Sequence, residues 1–140
     1  MKIPEVRTDG IFFDKEGSSD NLADFMQYAD YIHESGGIVF INPGYNYPAV
    51  IKYLDSGAVD VANIYESGLK RLFQMSVPAG VTPEKLSAIV KGVNKDVDLQ
   101  KAISQVAEKD VGNIYVTSRS YTDLPPYFDK EVRIVANFTP

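Results

Sequence analysis

Three polar side chains that could bind or activate a ligand follow apolar runs typical of β-strands. Asp14 ends a β-branched and aromatic run, Asn42 follows a continuous apolar run, and Glu66 ends a third run. In parallel α/β folds, ligands bind at the carboxyl ends of the strands. We therefore expect two carboxylates and an amide around one pocket. The alternative is that acids at these positions cap the helices that follow the strands.

Tyrosine is a frequent residue in this sequence. The chain has nine tyrosines among its 140 residues. A tyrosine ring covers the apolar face of a pyranose while its hydroxyl forms hydrogen bonds, so this composition favours a sugar ligand. Each ring could instead be half-buried packing. The tyrosines considered for this role are Tyr45, Tyr47, Tyr65, Tyr121 and Tyr127.

The composition argues against several other functions. The net charge is -5, the isoelectric point is about 4.8, and the basic residues are scattered, which is unfavourable for nucleic acid or an anionic membrane surface. The chain has no cysteine and one histidine, so we expect no metal site. His33 fits the last turn of a helix, where a cation suits the dipole. No glycine-rich phosphate loop follows a strand, and we expect no cofactor.

The sequence also lacks the signals of membrane insertion and export. No apolar run approaches the roughly 20 residues that span a bilayer. The segment 1–10 lacks the apolar core of a signal peptide. We therefore expect no insertion of this chain into a membrane.

Strand-like and helix-like patterns alternate along the whole chain. Thr82 and Pro83 form a strong helix start, because a capping residue precedes a proline at the first helical position, so we predict a helix through Val90. Residues 128–137 fit either a short helix or an edge strand, and the charged run 129–131 within them is expected to be solvated. The other predicted strands are 10–14, 38–41, 59–65, 75–77 and 113–117, and the other predicted helices are 22–35, 48–54, 69–73 and 96–109.

This alternation predicts βαβ units and a mostly parallel sheet. Two architectures compete. A doubly wound open sheet suits 140 residues, whereas a complete eightfold β/α barrel needs roughly 250. Length alone therefore favours the open sheet.

Several blocks of the sequence together resemble a known family. Their order and spacing match those of the spherulin 4 family, and the resemblance covers nearly the whole chain. The blocks that carry it are Thr8–Asp14, Ile41–Gly44, Ile64–Glu66, Ile114–Thr117 and Tyr121–Phe128.

The resemblance implies a β/α barrel and a glycoside hydrolase that cleaves α-1,4-linked galactosamine or N-acetylgalactosamine polymers. The first strand then corresponds to a middle strand of the barrel, so residues 1–140 form a single partial barrel domain without its N-terminal half. Such a half exposes strand edges, which a homodimer or the missing barrel half would cover. Members are often secreted or located at the cell surface.

The resemblance also implies roles for individual residues. Asp14 matches the first acid of the family's Asp-Glu pair, and Glu66 matches the acid of a later strand-end motif, so both are candidate catalytic residues. Lys15 stands where the family usually has glutamate, and 75–81 lacks a histidine that relatives tend to carry. The residues expected to bind the glycan are an amide and three tyrosines, Asn42, Tyr45, Tyr65 and Tyr121.

Three functions remain open from the sequence. The first is a glycosidase acting on an amino-sugar polysaccharide or oligosaccharide, which needs two carboxyl groups. The second is a non-catalytic carbohydrate-binding or structural remnant of the barrel, in which Lys15 has disabled the chemistry. The third is an unrelated small α/β binding domain.

Overall fold

The structure, a computed structural model, describes residues 8–15, 21–44, 47–118 and 121–138. The described residues form five strands and four α-helices, which follow one another along the chain. The strands are β1 (Gly10–Asp14), β2 (Ile38–Asn42), β3 (Val61–Gly68), β4 (Leu86–Lys91) and β5 (Asn113–Thr117). The α-helices are α1 (Leu22–Glu34), α2 (Tyr47–Asp55), α3 (Asp96–Ala107) and α4 (Phe128–Asn137). Short 3₁₀ helices cover Leu69–Gln74 and Pro83–Lys85.

The chain divides into two compact units, of which the first is Met1–Ala62. In this unit β1 and β2 are parallel and fully in register from one end to the other, and β2 pairs in parallel with the beginning of β3. Helix α1 buries Phe25, Ala29 and Ile32, which lie on one face at helical spacing. Phe25 makes edge contacts with the rings of Phe13 and Tyr53, at centroid distances of 5.0 and 5.2 Å. The helix face and the strands thus share one aromatic core.

Part of the apolar surface of the first unit lies open to solvent. Ile11 and Phe12 of β1 are 47% and 48% exposed, and Ile38 of β2 is 50% exposed. Phe12 contacts the ring of Phe40 in an edge arrangement, at a centroid distance of 4.9 Å. These two rings lie opposite each other in the register of β1 and β2.

Asp60 joins the end of helix α1 to strand β2. Its Oδ2 atom accepts hydrogen bonds from the backbone N–H of Val39 at 2.7 Å and from His33 Nε2 at 2.9 Å. His33 does lie in the last turn of α1, as the sequence predicts. The turn between α1 and β2 uses Gly36 at a φ of 75°, a conformation that favours glycine.

The second unit, Asn63–Pro140, contains most of β3 together with β4, α3, β5 and α4. Residues 86–90 of β4 are all buried, and β4 pairs in parallel with β5 over its length. Helix α3 buries an apolar face made by Leu99, Ala102, Ile103 and Val106.

The strands are hydrogen-bonded in the order of the chain, β1-β2-β3-β4-β5. A doubly wound open sheet reverses its strand order at a switch point, and this order contains no reversal. Parallel strands that alternate with helices and follow each other in sequence order are the topology of a β/α barrel. The fold is therefore that of a partial β/α barrel, and the open sheet favoured by length alone is wrong.

Two predicted elements in residues 75–90 are also wrong. The start signal at Thr82 and Pro83 produces only the 3₁₀ turn Pro83–Lys85, after which β4 begins. A short run that is buried on all sides fits helix and strand patterns equally, and here tertiary burial selects the strand. Residues 75–77 form no regular element.

Residues 128–137, which by sequence fit either a short helix or an edge strand, form the helix α4. This helix buries Glu131, which is 3% exposed, so the expectation that the charged run 129–131 is solvated fails for that residue. Val132, the next residue of α4, is about half exposed.

Candidate functional site

Asp14 and Asn42 lie side by side at the carboxyl ends of β1 and β2. The register of the two strands places Asp14 opposite Asn42, and Asn42 Nδ2 donates a hydrogen bond to Asp14 Oδ1 at 3.1 Å. Asn42 is buried, and its Oδ1 atom accepts a longer bond of 3.4 Å from the N–H of Gly44. The amide is therefore held with its donor side toward the carboxylate. This contact joins two of the predicted site residues within the first unit.

Lys15 follows Asp14 directly and has an unusual backbone. Its φ is 61°, in the left-handed region that residues other than glycine adopt infrequently. Lys15 is exposed. The chain thus turns sharply directly after Asp14, the last residue of β1.

Glu66 belongs to the second unit and lies near the end of β3. Its Oε1 atom accepts a hydrogen bond of 2.6 Å from the hydroxyl of Tyr121 and one of 3.2 Å from Lys91 Nζ. The Glu66 side chain is 27% exposed and that of Lys91 is 44% exposed, so the ion pair can be reached from solvent. A carboxylate, a phenol and an ammonium group therefore meet at one oxygen atom.

The hydroxyls of two other tyrosines are bound to backbone carbonyls of the second unit. Tyr65 donates to the carbonyl of Gly68 at 2.7 Å, and Tyr127 donates to that of Val93 at 2.7 Å. Burial raises the pKa of Tyr65 above its ordinary value and raises that of Tyr127 to about 12. These hydroxyls act in the structure as neutral donors that fix neighbouring turns.

The predicted site residues therefore form two local groups. The first unit brings together Asp14 and Asn42, and the second brings together Glu66 and Tyr121. Tyr65 precedes Glu66 in β3, and its hydroxyl holds the end of that strand. Tyr45, also predicted to bind the glycan, lies outside the described residues.

Lys91 is not among the site residues that the sequence predicts. The sequence predicts a helix through residue 90, so Lys91 does not stand at the end of a predicted strand. Once β4 is recognised, Lys91 is its final residue and stands before a turn at Gly92, which has a φ of 72°. Lys91 is then a polar residue at the carboxyl end of a strand, as Asp14 and Glu66 are.

Glu131 is a buried carboxyl group with a structural role. Its Oε1 atom accepts the N–H of Val116 in β5 at 2.6 Å, while Oε2 is buried with no hydrogen-bond partner among the described residues. The carbonyl of the next residue, Thr117, accepts from Val93, so the N–H of Val116 points to the other side of β5. Burial raises the pKa of Glu131 to about 7. Glu131 thus accepts a hydrogen bond from a backbone N–H at the edge of β5.

Two general features of the site concern membranes and metals. Within the described ranges, no helix combines the length and the apolar character that crossing a bilayer requires. The same part of the chain contains no group of three or more His, Cys, Asp or Glu side chains placed to hold a metal ion.

Comparison with known proteins decides the family. The model of spherulation-specific family 4, Spherulin4, matches residues 2–135. The chain belongs to this family. The resemblance noted in the sequence is therefore confirmed over nearly the whole chain.

A solved structure with the same fold supports the architecture. The crystal structure of Aspergillus clavatus Sph3 in complex with GalNAc superposes with a TM-score of 0.67 at 19% sequence identity. The similarity covers 93% of this chain and 57% of that chain, so this chain spans little more than half the length of Sph3. A comparison with curated protein sequences finds no match.

Proposed function

We propose that this member of the spherulin 4 family binds an amino-sugar polysaccharide at the carboxyl ends of its strands and hydrolyses it. The substrate class is an α-1,4-linked polymer of galactosamine or N-acetylgalactosamine. Asp14 and Glu66 are the proposed catalytic carboxylates. Asn42, Tyr65 and Tyr121, together with Tyr45, are proposed to position the sugar.

The observation that carries this proposal is the hydrogen-bonded environment of Glu66. The residue lies near the end of β3, is partly exposed, and accepts hydrogen bonds from Tyr121 and Lys91. A solvent-accessible carboxylate beside an exposed tyrosine suits a pyranose, which offers both hydroxyls and an apolar face. The GalNAc complex of Sph3, which shares the fold, adds support for an amino-sugar ligand.

The proposed chemistry uses both carboxyl groups. One protonates the glycosidic oxygen as the bond from the anomeric carbon breaks and its electron pair passes to that oxygen. The other either attacks the anomeric carbon or removes a proton from the attacking water. Asn42 donates to Asp14 and so holds that carboxyl group at the end of β1.

A second candidate is a carbohydrate-binding protein without catalysis. Lys15 favours it, because the resemblance to the family implies glutamate at this position and the backbone here has a φ of 61°. In this case the strand ends would still bind the glycan. Loss of one carboxyl group would suppress bond cleavage, since the family's pair would be incomplete.

Reducing-end release from an α-1,4-linked N-acetylgalactosamine polymer tests the proposal. If the chain is a hydrolase, Glu66→Gln lowers the rate by at least about 100-fold, the usual scale for loss of an acid or base. Glu108→Gln is the matched control, because Glu108 is exposed at the end of α3.

Binding and rescue separate the two candidates. Isothermal titration with a N-acetylgalactosamine oligosaccharide measures binding independently of cleavage. Binding without release, followed by release in Lys15→Glu, indicates a binding protein derived from an enzyme. Neither binding nor release by the wild-type chain refutes both functions.

A further inference from the structure

Strand β1 lies at one edge of the sheet, and no described strand pairs with its outer side. The carbonyl of Asp9 accepts the N–H of Ile38 in β2 at 3.0 Å, and Gly10 lies opposite Ile38 in the register. The backbone groups of successive strand residues point to alternate sides. The N–H and carbonyl groups of Gly10, Phe12 and Asp14 therefore point away from β2. An edge of this kind is a template for pairing with another strand.

The strand at the other edge of the sheet, β5, is protected on its outer side. There the N–H of Val116 donates to the buried side chain of Glu131 at 2.6 Å. A side chain that occupies the edge of a strand prevents another chain from pairing at that position. Among the described residues, the N–H of Phe12 in β1 has no comparable partner, and Phe12 is about half exposed. Of the two edge strands, β1 is therefore the one that a further strand can join.

Both faces of β1 carry apolar side chains that are open to solvent. Phe12 lies on the same face as Ile38 and Phe40 of β2, and its ring contacts that of Phe40 at a centroid distance of 4.9 Å. Ile11 lies on the opposite face, because successive side chains of a strand alternate. Ile11, Phe12 and Ile38 are each about half exposed. The partner that fits is a strand with apolar side chains on both faces.

The sequence of β1 is complementary to itself when two copies run antiparallel. With Phe12 opposite Phe12 of the second copy, Ile11 lies opposite Phe13 on one face. Gly10 then lies opposite Asp14, so the three residues with outward backbone groups face one another and form about six N–H···O bonds. The two Phe12 rings lie side by side on the other face. The pairing thus satisfies the free backbone edge and covers apolar side chains on both faces.

Opposite charges meet at both ends of this pairing. Asp9 precedes β1 and Lys15 follows it, and both residues are exposed. In the antiparallel register centred on Phe12, Asp9 of each copy lies beside Lys15 of the other. The flexible stem of lysine accommodates the turn that begins at its φ of 61°. The register that pairs the backbone groups of β1 therefore also pairs the charges that flank it.

We propose that the protein forms a twofold-symmetric dimer in which β1 pairs antiparallel with β1 of a second copy, centred on Phe12. A twofold interface requires a surface that is complementary to itself, and the segment 9–15 has this property. The sequence leaves two covers open for an exposed edge, a homodimer and a missing barrel half, and the charge complementarity favours the homodimer. The inference goes beyond the proposed function and does not depend on it, because it uses the edge of β1 and no property of the glycan site.

A single introduced cysteine tests the register, because the chain has no cysteine of its own. The Cα atoms of the two copies of residue 12 lie about 5.5 Å apart in this pairing, within the range of a disulfide. Those of residue 11 lie about 7 to 8 Å apart, beyond that range. Under mild oxidation Phe12→Cys should become a linked dimer of twice 15.5 kDa, whereas Ile11→Cys, the matched control, should stay unlinked. Equal linking of the two variants, or no linking of Phe12→Cys, overturns the inference.

Sedimentation equilibrium measures the dimer without a covalent link. The mean mass of the wild type should rise reversibly from 15.5 kDa toward twice that value as its concentration increases. Asp9→Lys and Lys15→Asp each place like charges at both ends of the pairing. Each should raise the Kd of the dimer by about 10-fold, because two exposed ion pairs become two repulsive pairs. Lys101→Asp makes the same change of charge at an exposed position on α3 and should leave the Kd unchanged.

An equimolar mixture of Asp9→Lys and Lys15→Asp separates pairing from damage to the fold. In a mixed dimer the two introduced residues face each other at one end, and the native Asp9 and Lys15 face each other at the other end. Both ends again carry opposite charges, so the mixture should dimerise with a Kd close to that of the wild type. A wild type that stays monomeric at every concentration, assemblies larger than a dimer, or a mixture that binds no more tightly than its components overturns the inference.

Discussion

Replacing Glu131 by a residue that cannot ionise is expected to change how the free energy of unfolding depends on pH. Burial raises the pKa of this carboxyl group from its ordinary 4.5 to about 7, while its Oε1 atom accepts the N–H of Val116. The folded chain therefore keeps a proton at Glu131 over a pH range in which the unfolded chain has lost it. The free energy of unfolding consequently falls as the pH rises from about 4.5 through about 7.

The size of this effect follows from the two pKa values. The interval between 4.5 and about 7, at about 1.4 kcal/mol per pH unit, sets a maximum of about 3 kcal/mol. Water that reaches the ionised carboxylate lowers this figure. We therefore expect the wild type to lose about 2 kcal/mol between pH 5 and pH 8 through this group alone.

Urea unfolding followed by circular dichroism measures this loss in the wild type and two variants. Glu131→Gln keeps an acceptor for Val116 but cannot ionise, so it should resemble the wild type near pH 5 and be more stable at pH 8. Glu131→Met removes the acceptor and leaves a buried N–H unpaired, which costs about 1 to 3 kcal/mol at every pH. Parallel pH dependences for the wild type and Glu131→Gln would refute the reasoning, because all other titrating groups are common to both.

Two further predictions concern the stability of the units. Asp60→Ala removes the acceptor of both Val39 N–H and His33 Nε2, so it should lower the free energy of unfolding in urea by about 1 to 3 kcal/mol. Asp60→Asn keeps an acceptor oxygen and should lose less stability. Gly112→Ala places a Cβ atom 2.6 Å from the carbonyl oxygen of Pro83, so it should lower the stability by about 1 to 3 kcal/mol. A melting temperature of Gly112→Ala equal to that of the wild type contradicts this clash.

The sequence pattern predicts most elements where local signals agree. Strand β1 and helix α1 have a clear hydrophobic period and clear ends, and they appear at 10–14 and 22–34. The run 86–90 satisfies the spacing of a helix and the burial of a strand equally, so its pattern is ambiguous. Contact with β5 on one side and complete burial decide it as a strand.

Polar residues at predicted strand ends indicate part of the candidate site correctly. Asp14 and Asn42 each end a strand, and the register of two parallel strands brings them within hydrogen-bond distance. The same rule would have selected Lys91, but only after β4 was recognised. A wrongly predicted element therefore hides the strand-end position of Lys91.

The sequence alone determined the family, the alternation of strands with helices and the acids that stand at strand ends, because these depend on residue types and spacings along the chain. Only the tertiary structure decided that Tyr121 and Lys91 share one oxygen of Glu66, and that Glu131 is buried against Val116. Such contacts join residues that are 15 to 55 positions apart. They depend on which side chains packing brings together and removes from water, and no local pattern carries that information.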